Sequence, residues 1–320
     1  MSNRLGAISV AVVTLALAAS ALADTYPTKP VTVVVPWAPG GRTDLTARLT
    51  TQFLAEKMGK PFVVVNHNGA SGVLGAKKVS TSRPDGYTLG FFSSGVVATQ
   101  YTVPTPSDLK DYDPVGLVNM DEAVVAVAET SPFKTLAELV AYARAHPNEL
   151  KRGAAPGTSA EIMAGLFGRA AKVEFLGVPF GGGGARSVAL AGKHIDVDID
   201  VPAIYKPLVE AKKIRILGIG AEKRNPLFPD VPTFREQGID CVIGSWNGLF
   251  APKGTPADVL AALEAGLGKV TSDQKFVDLM HRTLLAVNFM DRETFRQFLS
   301  VEDQQTKDIV TALEIKAPNN

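Results

Sequence analysis

Two kinds of hydrophobic pattern alternate along the first part of the chain. Pro30–Pro36 encloses Val31-Thr32-Val33-Val34-Val35, a short β-branched run bounded by proline. Such a run predicts a strand buried on both faces, as in a parallel sheet. Thr43–Met58 then places Leu45, Leu49, Phe53 and Leu54 at helical spacing, with Gly59 to end the helix and Pro61 to open the next strand. Phe62–Val65 predicts that strand, Gly72–Thr81 a short helix, and Tyr87–Phe92 a third strand entered through the turn Pro84-Asp85-Gly86. Strand–helix–strand–helix–strand implies right-handed crossovers and a parallel sheet.

The pattern then changes. Leu117–Val127 holds two apolar pieces around Asp121-Glu122. Thr135–His146, Thr158–Ala171, Gly184–Ala191 and Ala203–Ala211 read as helices, and Val173–Val178, Ile195–Val201 and Ile214–Gly218 as strands. Gly244–Phe250 reads as a strand returning to the first unit, followed by helices over Pro256–Val270, Ser272–Arg282 and Arg292–Leu313. The expected fold class is α/β: a two-lobed clamp, each lobe a mainly parallel sheet flanked by helices. Residues 24–123 plus 246–320 form the first lobe and residues 124–245 the second. No internal repeat is visible. Clefts between such lobes are favoured places for small ligands.

The N-terminus sets the expected compartment. Arg4 supplies a positive charge, Leu5–Leu22 carries none, and Ala21-Leu22-Ala23 is a small-residue cleavage pattern before Asp24. Residues 1–23 therefore read as a secretory signal peptide, too rich in Ala and Ser for a membrane anchor. The formal net charge is +1, which argues against nucleic acid and anionic membranes as partners, because both demand a concentrated basic face. Cys241 is the sole cysteine. It lies in Asp240–Ile243, which reads as a buried strand, so it is a small core residue rather than a nucleophile.

Two turns carry the candidate chemistry. Pro39-Gly40-Gly41-Arg42-Thr43-Asp44 joins the first strand to the first helix, and Asn66–Gly75, with Gly69, Gly72 and Gly75, follows the second strand. Glycines let a ligand approach the backbone, and uncapped helix N–H groups favour an anion. One such loop alone is equally an ordinary tight turn. Two at the same sheet edge, at the carboxyl ends of parallel strands, point to a ligand site. In the second unit, Thr158-Ser159 at a helix start is either an N-cap or a carboxylate contact, and residues 181–184 are a glycine run opening another helix. Asp196, Asp198 and Asp200 alternate along one strand and share a face. No histidine joins them, so no metal or other cofactor is expected, and Asp200 is the one placed at the cleft. The 4 histidines show no metal spacing, and no G-x-S-x-G elbow or Walker lysine appears. Binding without chemistry is the expectation.

The ordered set Tyr26-Pro27-Thr28-Lys29-Pro30, Val35-Pro36-Trp37 with Pro39-Gly40-Gly41 and Thr43-Asp44, Asn66 with its three glycines, Pro84-Asp85-Gly86-Tyr87-Thr88-Leu89, Val178-Pro179-Phe180, Pro229-Asp230-Val231-Pro232-Thr233 and Trp246-Asn247-Gly248-Leu249-Phe250 resembles the substrate-binding proteins of tripartite tricarboxylate transporters, the Bug or TctC-like family. The resemblance implies a periplasmic-binding-protein-like clamp, monomeric, that captures a small di- or tricarboxylate and delivers it to membrane transporter subunits. A sensor kinase is the alternative membrane partner, and an exported hydrolase or lyase the alternative activity. The implied contacts are Pro39, Gly40, Gly41, Thr43, Asp44, Asn66, Gly69, Gly72 and Gly75 in the first lobe, with Thr158, Ser159, Gly182 and Asp200 in the second. Arg42 and Arg186 depart from the family pattern. Either is expected to fork onto a further ligand carboxylate or to face solvent.

Overall fold

The computed structural model describes residues 26–103, 107–154, 158–180 and 182–312; the expected signal peptide, residues 1–23, lies outside them. The strands, in chain order, are β1 (Val31–Val35), β2 (Phe62–Asn66), β3 (Thr88–Ser93), β4 (Tyr112–Glu122), β5 (Val124–Ala128), β6 (Lys151–Ala154), β7 (Leu176–Pro179), β8 (Asp198–Asp200), β9 (Ile214–Ile219) and β10 (Gly244–Pro252). The α-helices are α1 (Arg42–Met58), α2 (Val73–Ser80), α3 (Gly95–Thr102), α4 (Leu136–Ala145), α5 (Ser159–Ala171), α6 (Gly183–Ala191), α7 (Lys206–Glu210), α8 (Ala257–Thr271), α9 (Gln274–Arg282) and α10 (Arg292–Ala312).

The first sheet runs β2-β1-β3-β10-β4. β1 pairs in parallel with β2 and β3, whereas β10 is antiparallel to both its neighbours. The β-branched run of β1 is buried except at Thr32, as a central strand covered on both faces requires. In the second lobe, β6 and β7 pair in parallel, Arg152 bridges Val197 beside β8, and β5 lies antiparallel between β8 and β9. The order across that lobe is β7-β6-β8-β5-β9. Both lobes thus share one topology. Each has a single antiparallel strand, and that strand is the one entering from the other lobe. Both faces of each sheet are packed with apolar side chains.

The chain passes between sheets at Ala123, between β4 and β5, and again at Ile243-Gly244, entering β10. The two passages are bonded together: Ala123 N–H donates to Ile243 O at 2.8 Å, Ile243 N–H to Gly220 O at 3.0 Å, and Gly220 N–H to Ala123 O at 2.7 Å. A Cβ on Gly244 would lie 2.5 Å from Asp121 O, so only glycine allows this approach.

Several expectations change. α3 and β6 have no counterpart in the predicted elements. The strand expected over Ile195–Val201 shrinks to β8, and Asp240–Ile243 is irregular although Cys241 is buried. Burial pushes the Cys241 thiol up to about 11, consistent with a core residue. Of the apolar face expected on α1, Phe53 and Leu54 are buried and Leu49 packs against the core, but Leu45 does not. Leu45 is 36% exposed, whereas Thr46 and Thr50 are fully buried. Their hydroxyls donate to the carbonyls of Arg42 and Thr46, one turn back, at 2.9 and 2.8 Å. Threonine serves there as an apolar residue whose one polar atom is satisfied locally.

Candidate functional site

The first turn ends at Gly41, the N-cap of α1, with no side chain to cap the helix. The N–H groups of the first helical turn have no intrahelical acceptor, so those of residues 42–44 are offered outward. Gly40 has φ +80°, a left-handed conformation that suits glycine. Its N–H donates to Asp44 Oδ2 at 2.9 Å. Asp44 also accepts from Arg48 Nε and Asn66 Nδ2, both at 2.9 Å. Asn66 Nδ2 donates to Trp37 O at 3.0 Å, and Arg48 closes the ring by donating to Asn66 Oδ1. Burial alone would raise the Asp44 carboxyl; the hydrogen bonds from Arg48, Gly40 and Asn66 outweigh it and hold the carboxyl below its usual range. Asp44, Asn66 and Arg48 therefore brace the turn. Arg48 was invisible as a site residue in the sequence, and only its i+4 spacing from Asp44 signalled it.

The second turn passes through four successive residues of positive φ. Gly69, Ala70, Ser71 and Gly72 have φ of 136°, 45°, 54° and 97°. Two non-glycine residues in this region cost of order 1 kcal/mol each or more, and such strain collects at ligand clamps. Gly72 caps α2 without a side chain, and a Cβ there would sit 3.2 Å from the Trp37 ring. Gly75 does not reach the cleft. A Cβ on it would lie 2.5 Å from His67 O and 2.7 Å from Pro36 Cα, so it lets α2 pack against the first turn.

Across the cleft, α5 begins after Thr158 and α6 after Gly182, again without a capping bond from Gly182. The space between has a volume of about 590 Å³ and is walled by both first-lobe turns, Ser93, Thr158, Ser159, Phe180, residues 182–186, Asp200 and Ile204. Every candidate residue lines it except Asn66 and Gly75. Trp37, Asn68, Ser71, Ser93 and Phe180 line it too without having been singled out. A second cavity of similar volume lies against α4 and α5. It reaches none of the glycine-capped helix starts, and its Arg152 is committed to Glu161. The inter-lobe cleft is therefore the candidate site.

Both unusual arginines are corrected by the structure. The Arg42 side chain is 7% exposed and neither free for a ligand nor solvated. Its terminal nitrogens donate to Asp121 Oδ2 (3.0 Å), Ser245 Oγ (2.6 Å), Ser245 O (3.3 Å) and Trp246 O (3.2 Å). It ties the first turn to β4 and β10 beside the two inter-lobe passages. Asp121 is buried, and burial pushes its carboxyl up against the pull of Arg42 and of the Ala286 N–H. Arg186 is likewise buried, with Nε on Asp198 at 3.1 Å and a terminal nitrogen on Asp200. Asp198 also accepts from the Tyr205 hydroxyl at 2.9 Å. Burial pushes the Asp198 carboxyl up to about 6, although Arg186 and Tyr205 pull the other way. Asp196 faces away, accepting from the Lys151 N–H at 2.8 Å. Among the described residues no group of three or more His, Cys, Asp or Glu is placed to hold a metal ion, and no helix is long and apolar enough to cross a membrane.

A sequence model of the tripartite tricarboxylate transporter family receptor matches residues 46–315. A UPF0065 protein in the gbd 5' region of Cupriavidus necator is 33% identical over 302 residues, covering 93% of this chain and 91% of its own. MatC of Rhodopseudomonas palustris, solved with bound malate, is 31% identical with a TM-score of 0.80, covering 89% of this chain and 100% of its own. An R. palustris protein solved with adipate is 29% identical with a TM-score of 0.85, covering 91% of this chain and 99% of its own.

Proposed function

The chain belongs to the tripartite tricarboxylate transporter receptor family, a family of solute-binding receptors rather than enzymes, and from that premise we propose that it captures a small di- or tricarboxylate in the periplasm and hands it to a membrane transporter. The observation that carries this reading is the convergence of four helix starts on one cleft, those of α1, α2, α5 and α6, three of them capped only by glycine. Their N–H groups and dipoles favour an anion without bringing in a net charge. The malate and adipate held by similar proteins support a carboxylate in that place.

In this reading one carboxylate docks on the N–H groups of the two first-lobe turns. The second lobe then closes, favoured by contacts that exist only in the closed form. Ala123 and Ile243-Gly244 are the hinge, and residues 1–23 are the leader removed on export. A thermal-shift screen of mono-, di- and tricarboxylates tests the proposal. A ligand present at 100 times its Kd adds about 2.7 kcal/mol of stability by mass action. At least one di- or tricarboxylate should raise the melting temperature while its diamide does not. A screen with no responder, or an equal response to the diamide, overturns it.

A further inference from the structure

The fixed charges around the cleft do not balance. Arg42 is matched by Asp121, and Asp44 by Arg48. Arg186 faces two carboxylates, Asp198 and Asp200, so the second-lobe wall holds one negative charge in excess at neutral pH. Asp198 is wholly buried and its oxygens are taken by Arg186 and Tyr205. Asp200 lines the cleft. Its Oδ1 accepts from the Val201 N–H at 2.8 Å and its Oδ2 from Arg186. A carboxylate offers about four acceptor positions, so this group retains acceptor capacity and no donor. Arg186, 2% exposed and committed to both aspartates, cannot turn to neutralise a ligand.

We propose that Asp200 selects carboxylates bearing a hydrogen-bond donor, a hydroxyl or an ammonium group, which the closed second lobe brings against it. This rests on the reading above that a ligand carboxylate occupies the first-lobe turns. A bare methylene at that position leaves a buried carboxylate without its ligand-side hydrogen bond, and a second carboxylate there meets a like charge. Both are disfavoured in a water-excluded cleft. The excess charge thus orients the ligand, carboxylate toward the glycine turns and donor toward β8.

The test is calorimetry on the mature protein at pH 7.5 with acids matched in skeleton: succinate, malate and aspartate; glutarate, 2-hydroxyglutarate and glutamate; adipate and 2-aminoadipate. Within the skeleton that binds best, a hydroxy or amino acid should bind about tenfold or more tighter than its unsubstituted partner, as expected of a hydrogen bond to a charged group. Asp200→Asn should shrink that ratio to about threefold or less, with its melting profile confirming the fold. Equal affinity within a skeleton, or an unchanged ratio in a folded Asp200→Asn protein, overturns the role of Asp200 and leaves the carboxylate reading standing. Failure of every acid in all three sets overturns this inference and narrows the carboxylate reading to tricarboxylates, which the thermal-shift screen tests separately. The comparison within a skeleton needs no variant, so a misfolded Asp200→Asn leaves the proposal falsifiable.

Discussion

Arg42→Met isolates what the guanidinium in the first turn does. The wild-type side chain is nearly out of solvent and pairs with an aspartate whose own side chain is 2% exposed. Methionine fills similar volume and removes all donors. Asp121 then keeps only Asn119 Nδ2 at 2.6 Å and the Ala286 N–H at 2.8 Å. Stranding one partner of a buried ion pair costs about 3–5 kcal/mol, a large part of the roughly 5–15 kcal/mol that stabilises a typical protein. The double variant Arg42→Met/Asp121→Asn removes the stranded charge and should recover more than half of the loss, because a buried pair exchanged for neutral groups is often near neutral in stability. Urea unfolding followed by the fluorescence of Trp37 and Trp246 measures both. Calorimetry on the single variant should find mono- and tricarboxylates weakened alike, since the lost bonds hold the turn and not the ligand. A stability loss under about 1 kcal/mol, well below the cost of a stranded buried charge, together with selective loss of tricarboxylate binding, would refute this reasoning and return Arg42 to the ligand.

Other outcomes follow from the same geometry. Gly41→Val should weaken ligand binding about a hundredfold or more by intruding where an anion meets the N–H groups. Its melting temperature should stay close to wild type, since φ is −79° and the nearest atom to a new Cβ is Ala38 O at 3.7 Å. Gly75→Ala should instead destabilise by about 1–3 kcal/mol through overpacking on His67 O and Pro36 Cα, read as a drop in urea midpoint. The Asp44 carboxyl titrates lower in the folded state than unfolded, so its contribution is present above pH about 4 and is lost as pH falls through the lowered value. The bracing by Asp44 should therefore hold down to pH about 4, so any fall in affinity between pH about 6 and 5, where the ligand itself takes up protons, should be the same in wild type and Asp44→Asn; a wild-type decline there that is absent from Asp44→Asn would contradict the bracing role. Asp198 has the opposite sign. Its folded value of about 6 lies above the ordinary 3.8, so folding takes up a proton in that window, and this carboxyl favours the folded state more at pH 5 than at pH 7. Asp198→Asn should flatten that part of the stability–pH curve, and an unchanged curve would show that the group does not titrate there.

Much of this architecture is legible along the chain because it is local. The run Val31–Val35, the glycine ending α1 and the paired turns each announce themselves within a few residues. What stayed hidden is set by partners far away. Arg42 meets Asp121 across 79 residues and Ser245 across 203, so its chemistry read as free when it was spent. The left-handed turn at Ala70 and Ser71 is hidden for another reason: neither residue type signals positive φ, and the surrounding fold imposes it. Alternation did place Asp198 and Asp200 on one face, but only the structure shows that both converge on Arg186, itself a departure from the family pattern.

The shared strand order of the two lobes bears on how the chain comes into being. An emerging polypeptide that has reached Glu122 owns β1 to β4, yet β4 has nothing to pair with until β10, residues Gly244–Pro252, arrives to lie between it and β3. Meanwhile β5 has already left to become the antiparallel member of the other sheet. The second sheet has all its strands once Ile219 is made, whereas the first must wait for β10. Synthesis of roughly 120 further residues separates the first sheet from its closure, and such long-range pairing is slow to form. In a chain arranged in this way the second lobe can close while the first is still open.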